Sequence, residues 1–408
     1  MKLDIKSIST LVVIMAALAA GAYSLGLSSA KNTSSSMSSQ SVGNSSAPAH
    51  PSSTRSTTTE TAASGALTFS HFRVGNRNVK GMTTLGDFVW VGTSGGVLKY
   101  DLRTDNYVLY DVSNGSLLSN GVFHLSVLDE RIMVGTYGGG LSVFDTKSEK
   151  WKNYNIPDGL ADQFVYDVQR VSNGDVWIAT WSGVNRVKQG KFDDPTQWET
   201  YNLTNTNGGL PNDWVYGLEE GKNGEMWFAT EKGVARFVAG KWENWQHEEG
   251  LGAAYELVAA DIKFNNDPGK ASKHHARQKV EDGLVNVSAA YNPNYVVSLS
   301  VDGDGIVWAG TWGGGLARYD GKKWTNTTVQ EGLPSNHVFM LHRDNEGRIW
   351  AGTSEGLARV DQQTGKPVEI VRRKDGLFAD NVFSMAKAQD GSVWVGSFGG
   401  VARLYGLI

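Results

Sequence analysis

One pattern recurs seven times in this chain and limits what it can fold into. Its fullest copy covers 306–320, IVWAGTWGGGLARYD. Val307, Trp308 and Ala309 read as a strand. Gly313, Gly314 and Gly315 read as a tight turn where positive φ is allowed, and Leu316 opens a returning strand. Further copies begin at Phe88, Arg131, Asp175, Glu225, Arg348 and Ser392. A repeat at near-constant spacing outranks any local reading.

The column defined by Trp308 contains Trp90, Met133, Trp177, Trp227, Trp350 and Trp394. Successive members lie roughly 42 to 50 residues apart, except for a step of about 80 between Trp227 and Trp308, and each period carries four short strand signals, as in a propeller blade. The first strand starts at Val122, Val165, Val215, Val296, Val338 or Val382. The second holds the tryptophan, the third the GLARYD-like run, and the fourth is aromatic. The last copy stops after its third strand, and an extra strand from Leu67 precedes the first. The expectation is an all-β, seven-bladed β-propeller over 66–408, closed by that N-terminal strand completing the last blade. The long step is expected to hold an insertion, 253–290, between blades four and five. A degenerate eighth blade is the alternative, but no Trp-x-Gly-Thr-like strand occurs there.

The length of 408 residues would allow two or three domains, but one ring of repeats absorbs it. A formal net charge of −4 argues against general nucleic-acid binding. The absence of cysteine excludes disulfides, thiolate metal sites, a cysteine nucleophile and a lipidated cysteine. Lys2 and Lys6 precede the charge-free run 8–27, which reads as a signal peptide or, uncleaved, an N-terminal membrane anchor within 1–30. Residues 31–65 are rich in serine and threonine and are expected to be a flexible linker. The protein is therefore expected to be periplasmic or extracellular, with the inner-membrane tether as the alternative.

The segment 331–361, EGLPSNHVFMLHRDNEGRIWAGTSEGLARVD, resembles the two-component regulator propeller repeat. The resemblance spans about 67–404. It implies the periplasmic sensor region of a membrane-bound hybrid sensor kinase that recognises ligands such as glycan fragments. No kinase segment or C-terminal β-sandwich follows the last copy, so a stand-alone propeller is expected, and the signalling role is implied less firmly than the fold.

Two columns are expected at one face, around the channel. Two residues before each first-strand valine stand Asn120, Gln163, Asp213, Asn294, Asn336 and Asp380. These are loop caps or ligand-holding groups. Next to them, and after each second strand, stand Tyr137, Trp181, Trp214, Tyr295, Trp312, His337 and Phe398. Aromatic residues on a polar rim suit ligand stacking, an aromatic protein contact, or packing between blade tops. The insertion carries Lys270, Lys273, His274, His275, Arg277 and Lys279, a candidate partner-docking arm, lid or clamp. The paired histidines lack the partners that metal ligation needs, so no metal site and no cofactor are expected.

No catalytic motif is present. An enzyme of the streptogramin-lyase kind would need His337 with Glu231 or Glu355, and Asp213 with Asp380 would have to approach for glycoside chemistry. The expected function is a non-enzymatic, ligand-binding or sensory propeller for an exported, glycan-like ligand. The alternatives are a docking scaffold in an envelope complex and a lyase.

Overall fold

The computed structural model describes residues 60–61 and 67–407. The expected signal or anchor (1–30) and most of the expected linker (31–65) lie outside the described residues. No helix among the described residues is long and apolar enough to cross a membrane.

The chain is an all-β propeller. Its inner strands are β1 (Thr68–Leu85), β2 (Val122–Leu128), β3 (Val165–Arg170), β4 (Val215–Glu220), β5 (Asn292–Val301), β6 (Val338–Arg343) and β7 (Val382–Lys387), and the chain ends in the long β8 (Val393–Tyr405). β2 to β6 each open an antiparallel four-stranded sheet, and β7, β8 and β1 belong to one seven-stranded sheet.

The expected blade count is corrected here. Counted by continuous hydrogen bonding, the described residues form six blades, not seven. The cause is β1. Its first half pairs with β8, from Thr68 opposite Tyr405 to Arg73 opposite Gly400. Its second half pairs with Phe88–Thr93, from Val79 opposite Thr93 to Leu85 opposite Phe88. One unbroken strand thus merges the first and last repeats into a single wide sheet. No separate last blade remains for an N-terminal strand to complete, so that expectation is corrected too.

The repeat motif has a physical reading. Trp308 is fully buried and lies cross-strand from Arg318, whose guanidinium sits 5.6 Å from the indole centre. The same pairing recurs as Arg186 on Trp177, Arg236 on Trp227 and Arg403 on Trp394. Each tryptophan also wedges toward the next sheet, as Trp90 does against Phe144 at 5.3 Å. The threonine after the tryptophan strand closes the turn. In six copies its hydroxyl donates to a glycine carbonyl three or four residues on, as from Thr180 to Gly183 at 2.7 Å. Gly183 has φ 101°, and a Cβ there would meet the Tyr201 carbonyl at 2.1 Å, so glycine is required.

The insertion is not an eighth sheet. It carries three short helices, α1 (Tyr255–Val258), α2 (Pro268–Ala271) and α3 (Lys273–Glu281). Val258 and Tyr291 bury against Ile262, Leu284 and Val287 in a small core of its own. Asp267 caps α2 through Gly269 N and pairs with Lys279 at 2.8 Å, which also donates to the carbonyls of Val287 and Ala289.

Candidate ligand site in the channel

Each of the seven inner strands carries a register shift just after a buried valine. The shifts fall at Val79/Gly81, Val122/His124, Val165/Asp167, Val215/Gly217, Val296/Ser298, Val338/Met340 and Val382/Ser384. The valines are buried against the sheets. The extra residue of each bulge has no ladder partner and turns into the channel. These residues are Lys80, Phe123, Tyr166, Tyr216, Val297, Phe339 and Phe383, and all line one cavity of about 510 Å³. Phe123, Tyr166, Tyr216 and Tyr295 follow one another at ring separations of 4.8, 4.9 and 5.1 Å. Phe339 and Phe383 stand 5.4 Å apart. This inner ring was missed in the column reading. Its signal was present as the aromatic residue after valine in VFHL, VYDV, VYGL, VFML and VFSM.

The expected rim aromatics do come together. Tyr137, Phe164, Trp181 and Trp214 form a chain with ring separations of 4.6, 4.5 and 4.3 Å. Tyr295 stacks on Trp312 at 5.3 Å. Trp214 and Trp312 are not free, however: they are 7% and 8% exposed, because the insertion covers them. His274 stacks on Trp214, and Phe264 lies 5.7 Å from Trp312 and 4.9 Å from His337. Phe398 lies cross-strand from Asn78 and does not line the cavity.

The insertion is clasped through Glu231, whose side chain is fully buried. His274 Nε2 lies 2.6 Å from one carboxylate oxygen and His275 Nε2 lies 2.5 Å from the other. Gln278 donates to the Glu231 backbone carbonyl. Burial pushes the Glu231 carboxyl up, but the two imidazoles outweigh it and hold it below the usual range. His337 is fully buried and its Nε2 lies 2.7 Å from the Ala290 carbonyl, and burial pulls its pKa down to about 4. The Glu231 oxygens therefore engage the insertion histidines rather than His337. Glu355 faces Lys263 of the insertion at 3.9 Å.

The polar column has a consistent hydrogen-bond role. The side-chain oxygens of Asn120, Asp213, Asn294, Asn336 and Asp380 accept from the backbone N–H of Val112, Leu203, His247, Val329 and Arg373, at 2.7–2.9 Å. Gln163 is exposed, and its backbone carbonyl accepts from Gly138 and Gly140. Among the basic residues of the insertion, Lys270, Lys273 and Arg277 are exposed, whereas His275 and Lys279 point inward.

Deeper in the channel, His124 Nδ1 lies 3.1 Å from Asp167, whose carboxylate also accepts from Val168 N and Leu218 N. Burial pushes the Asp167 carboxyl up, and His124 opposes this. Burial, with Asp167 nearby, raises Glu219 to about 7. Burial lowers the Lys80 ammonium to about 8.

The family model of the two component regulator propeller matches residues 209–232, 290–313 and 332–355. The chain carries two-component regulator propeller repeats. Its fold is shared with the extracellular domain of a protein described as a hybrid two component system from B. thetaiotaomicron. That match has 17% identity and a TM-score of 0.59, and covers 81% of this chain and 40% of that one. A one component system from the same organism matches at 17% identity and TM-score 0.56, covering 82% of this chain and 39% of the other. The repeat chain thus spans less than half of either extracellular domain. A catalytically inactive virginiamycin B lyase from Staphylococcus aureus with quinupristin matches at 12% identity and TM-score 0.55, covering 84% and 100%. At these identities the likeness is one of fold. Comparison with curated proteins gives no match.

Proposed function

We propose that this chain is an exported, non-enzymatic sensory propeller that takes a glycan-like ligand against its aromatic channel walls. The observation that carries the reading is the cavity of about 510 Å³, walled by the bulge residues and overlain by the insertion. That volume falls within the range of about 300–1,000 Å³ typical of small-molecule sites. Aromatic faces recognise ring ligands with little loss of side-chain entropy. The same fold occurs in the extracellular domains of a hybrid two component system and a one component system, and three copies here match a repeat named for two-component regulators, which supports a receptor role. The test is a glycan array on the purified protein, followed by calorimetry on any hit. Saturable binding that is lost in Tyr166→Ala and Trp312→Ala supports the proposal. No binding to any glycan sinks it.

A second reading is a docking scaffold. It is favoured by Leu257, Val280 and Val285, which are 57%, 59% and 66% exposed on the insertion beside Lys270, Lys273 and Arg277. A stoichiometric partner in an envelope pull-down that is lost in Lys273→Glu/Arg277→Glu would favour this reading over the first.

A further inference from the structure

Among the described residues, Lys80 is the one lysine or arginine that lines this cavity. It reaches that position because the β1 bulge turns it inward at the level where the other inner strands present mostly aromatic residues. Its ammonium lies 4.7 Å from the Phe123 ring centre. No carboxylate among the described residues pairs with it. The acids of the channel are engaged elsewhere: Asp167 by His124 and two backbone N–H groups, Glu219 by Gln169 Nε2. A cation withdrawn from bulk water and left without a counter-ion is costly. Further buried donors on the cavity wall, Tyr137 Oη, Ser298 Oγ and Trp312 Nε1, have no acceptor among the described residues. Arg77, exposed three residues before Lys80, adds a second positive charge on the same strand. The ring contacts of the insertion fall on Trp214, just before β4, and on β5 and β6, away from β1.

We propose that the channel binds a small organic anion, a carboxylate carried on a ring with an apolar face, with Lys80 as its counter-charge. The carboxylate meets the Lys80 ammonium, and the ring lies against Phe123, Tyr166 and Tyr216. This rests on the ligand-binding reading above and specifies its ligand. Acidic sugars and aromatic acids share this chemistry, and the experiment separates them.

The probes are digalacturonate and 2-naphthoate, each beside its neutral counterpart, digalactose and 2-naphthalenemethanol. Binding to the purified protein is measured by calorimetry near neutral pH and again well above pH 8. At least one acid is expected to bind about tenfold more tightly than its neutral partner. Lys80→Met removes that preference, and Lys80→Arg keeps most of it. Affinity falls on the alkaline side, where the Lys80 ammonium, at about 8, loses its proton. If Lys80→Met does not fold, Lys80→Gln takes its place, because Glu219, raised to about 7, also gains charge across the alkaline arm. Equal binding of acid and neutral probes, or an acid preference indifferent to both Lys80→Met and pH, overturns the proposal. Neutral probes that bind and are lost in Trp312→Ala would overturn the anion while leaving the ligand-binding propeller intact. Binding of none of the four probes also overturns the anion and leaves the glycan array to judge the broader reading.

Discussion

His274 lies flat on Trp214, with ring centres 3.8 Å apart and planes inclined by 15°. The stack fixes the imidazole so that its Nε2 meets the buried Glu231 carboxylate. His275 and Gln278 grip the same residue from the next position and the next turn of α3. The insertion is thereby held over an aromatic face that would otherwise be exposed.

Removing one imidazole leaves the buried Glu231 carboxylate half-paired, at a cost of up to the ~3–5 kcal/mol typical of a broken buried pair. His275→Ala is expected to release the insertion while the propeller stays folded. Limited proteolysis should then cut within 265–285, where the unaltered protein resists. His274→Phe keeps the ring on Trp214 and should loosen the segment less. An unchanged digestion pattern in both variants would refute the clasp.

Acid should act through His337. Its folded pKa of about 4 lies below the ordinary 6.5, because burial disfavours the charged ring. The unfolded chain therefore takes up the proton first, and stability falls as pH drops from 6.5 toward 4, by up to ~3 kcal/mol. His124 and His342 are shifted down for the same reason. Glu231 adds to the loss at lower pH: its carboxyl is held below 4.5, so its contribution is complete above 4.5 and is lost as pH falls through its folded value. Thermal melts across this range should show the decline, and His337→Gln should make it shallower above pH 4.5, with His124 and His342 carrying what remains.

The polar column can be separated from the ligand site. Asn336→Ala leaves Val329 N–H without its acceptor, at a cost of about 1–3 kcal/mol. Asp213→Ala removes the acceptor of the exposed Leu203 N–H, which water can replace, and should cost less. Both should lower the melting temperature and leave ligand affinity unchanged, whereas Phe339→Ala removes channel wall and should weaken binding. A loss of affinity in Asn336→Ala with an unchanged melt would reverse the assignment.

The tryptophan column carries buried hydrogen bonds as well as packing. Trp308 Nε1 donates to Asp302 at 3.0 Å and Trp350 Nε1 to Asp344 at 2.9 Å, while Trp90 Nε1 has no acceptor. Trp308→Phe and Trp350→Phe should therefore cost about 1 kcal/mol more than Trp90→Phe in denaturant unfolding. Equal costs in all three would show that packing alone decides the column.

Much of the ring was legible because its parts are local. The tryptophan, the arginine opposite it, the threonine and the positive-φ glycine all lie within one hairpin, and hairpin chemistry repeats wherever its sequence does. The rim chain from Tyr137 to Trp214 could be read for the same reason: equivalent loop positions on neighbouring sheets must meet. Two features were not legible. One was the inner ring. A strand read as strict alternation has no place for the bulge that sends Phe123 or Lys80 into the channel. The other was the state of Trp214 and Trp312, which read as exposed rim residues until the insertion is seen to lie on them.

The sequence by itself determined the repeat, the all-β architecture and the residues that build each hairpin, because these follow from contacts a few residues apart. Only the tertiary structure decided the six-sheet count, the channel position of Lys80 and the burial of Glu231 under two histidines. Each joins segments far apart in the chain: β1 to β8, β1 to the channel, α3 to the Glu231 turn. Their pairing is set by where a closed ring and a folded insertion bring them, and no local preference encodes it.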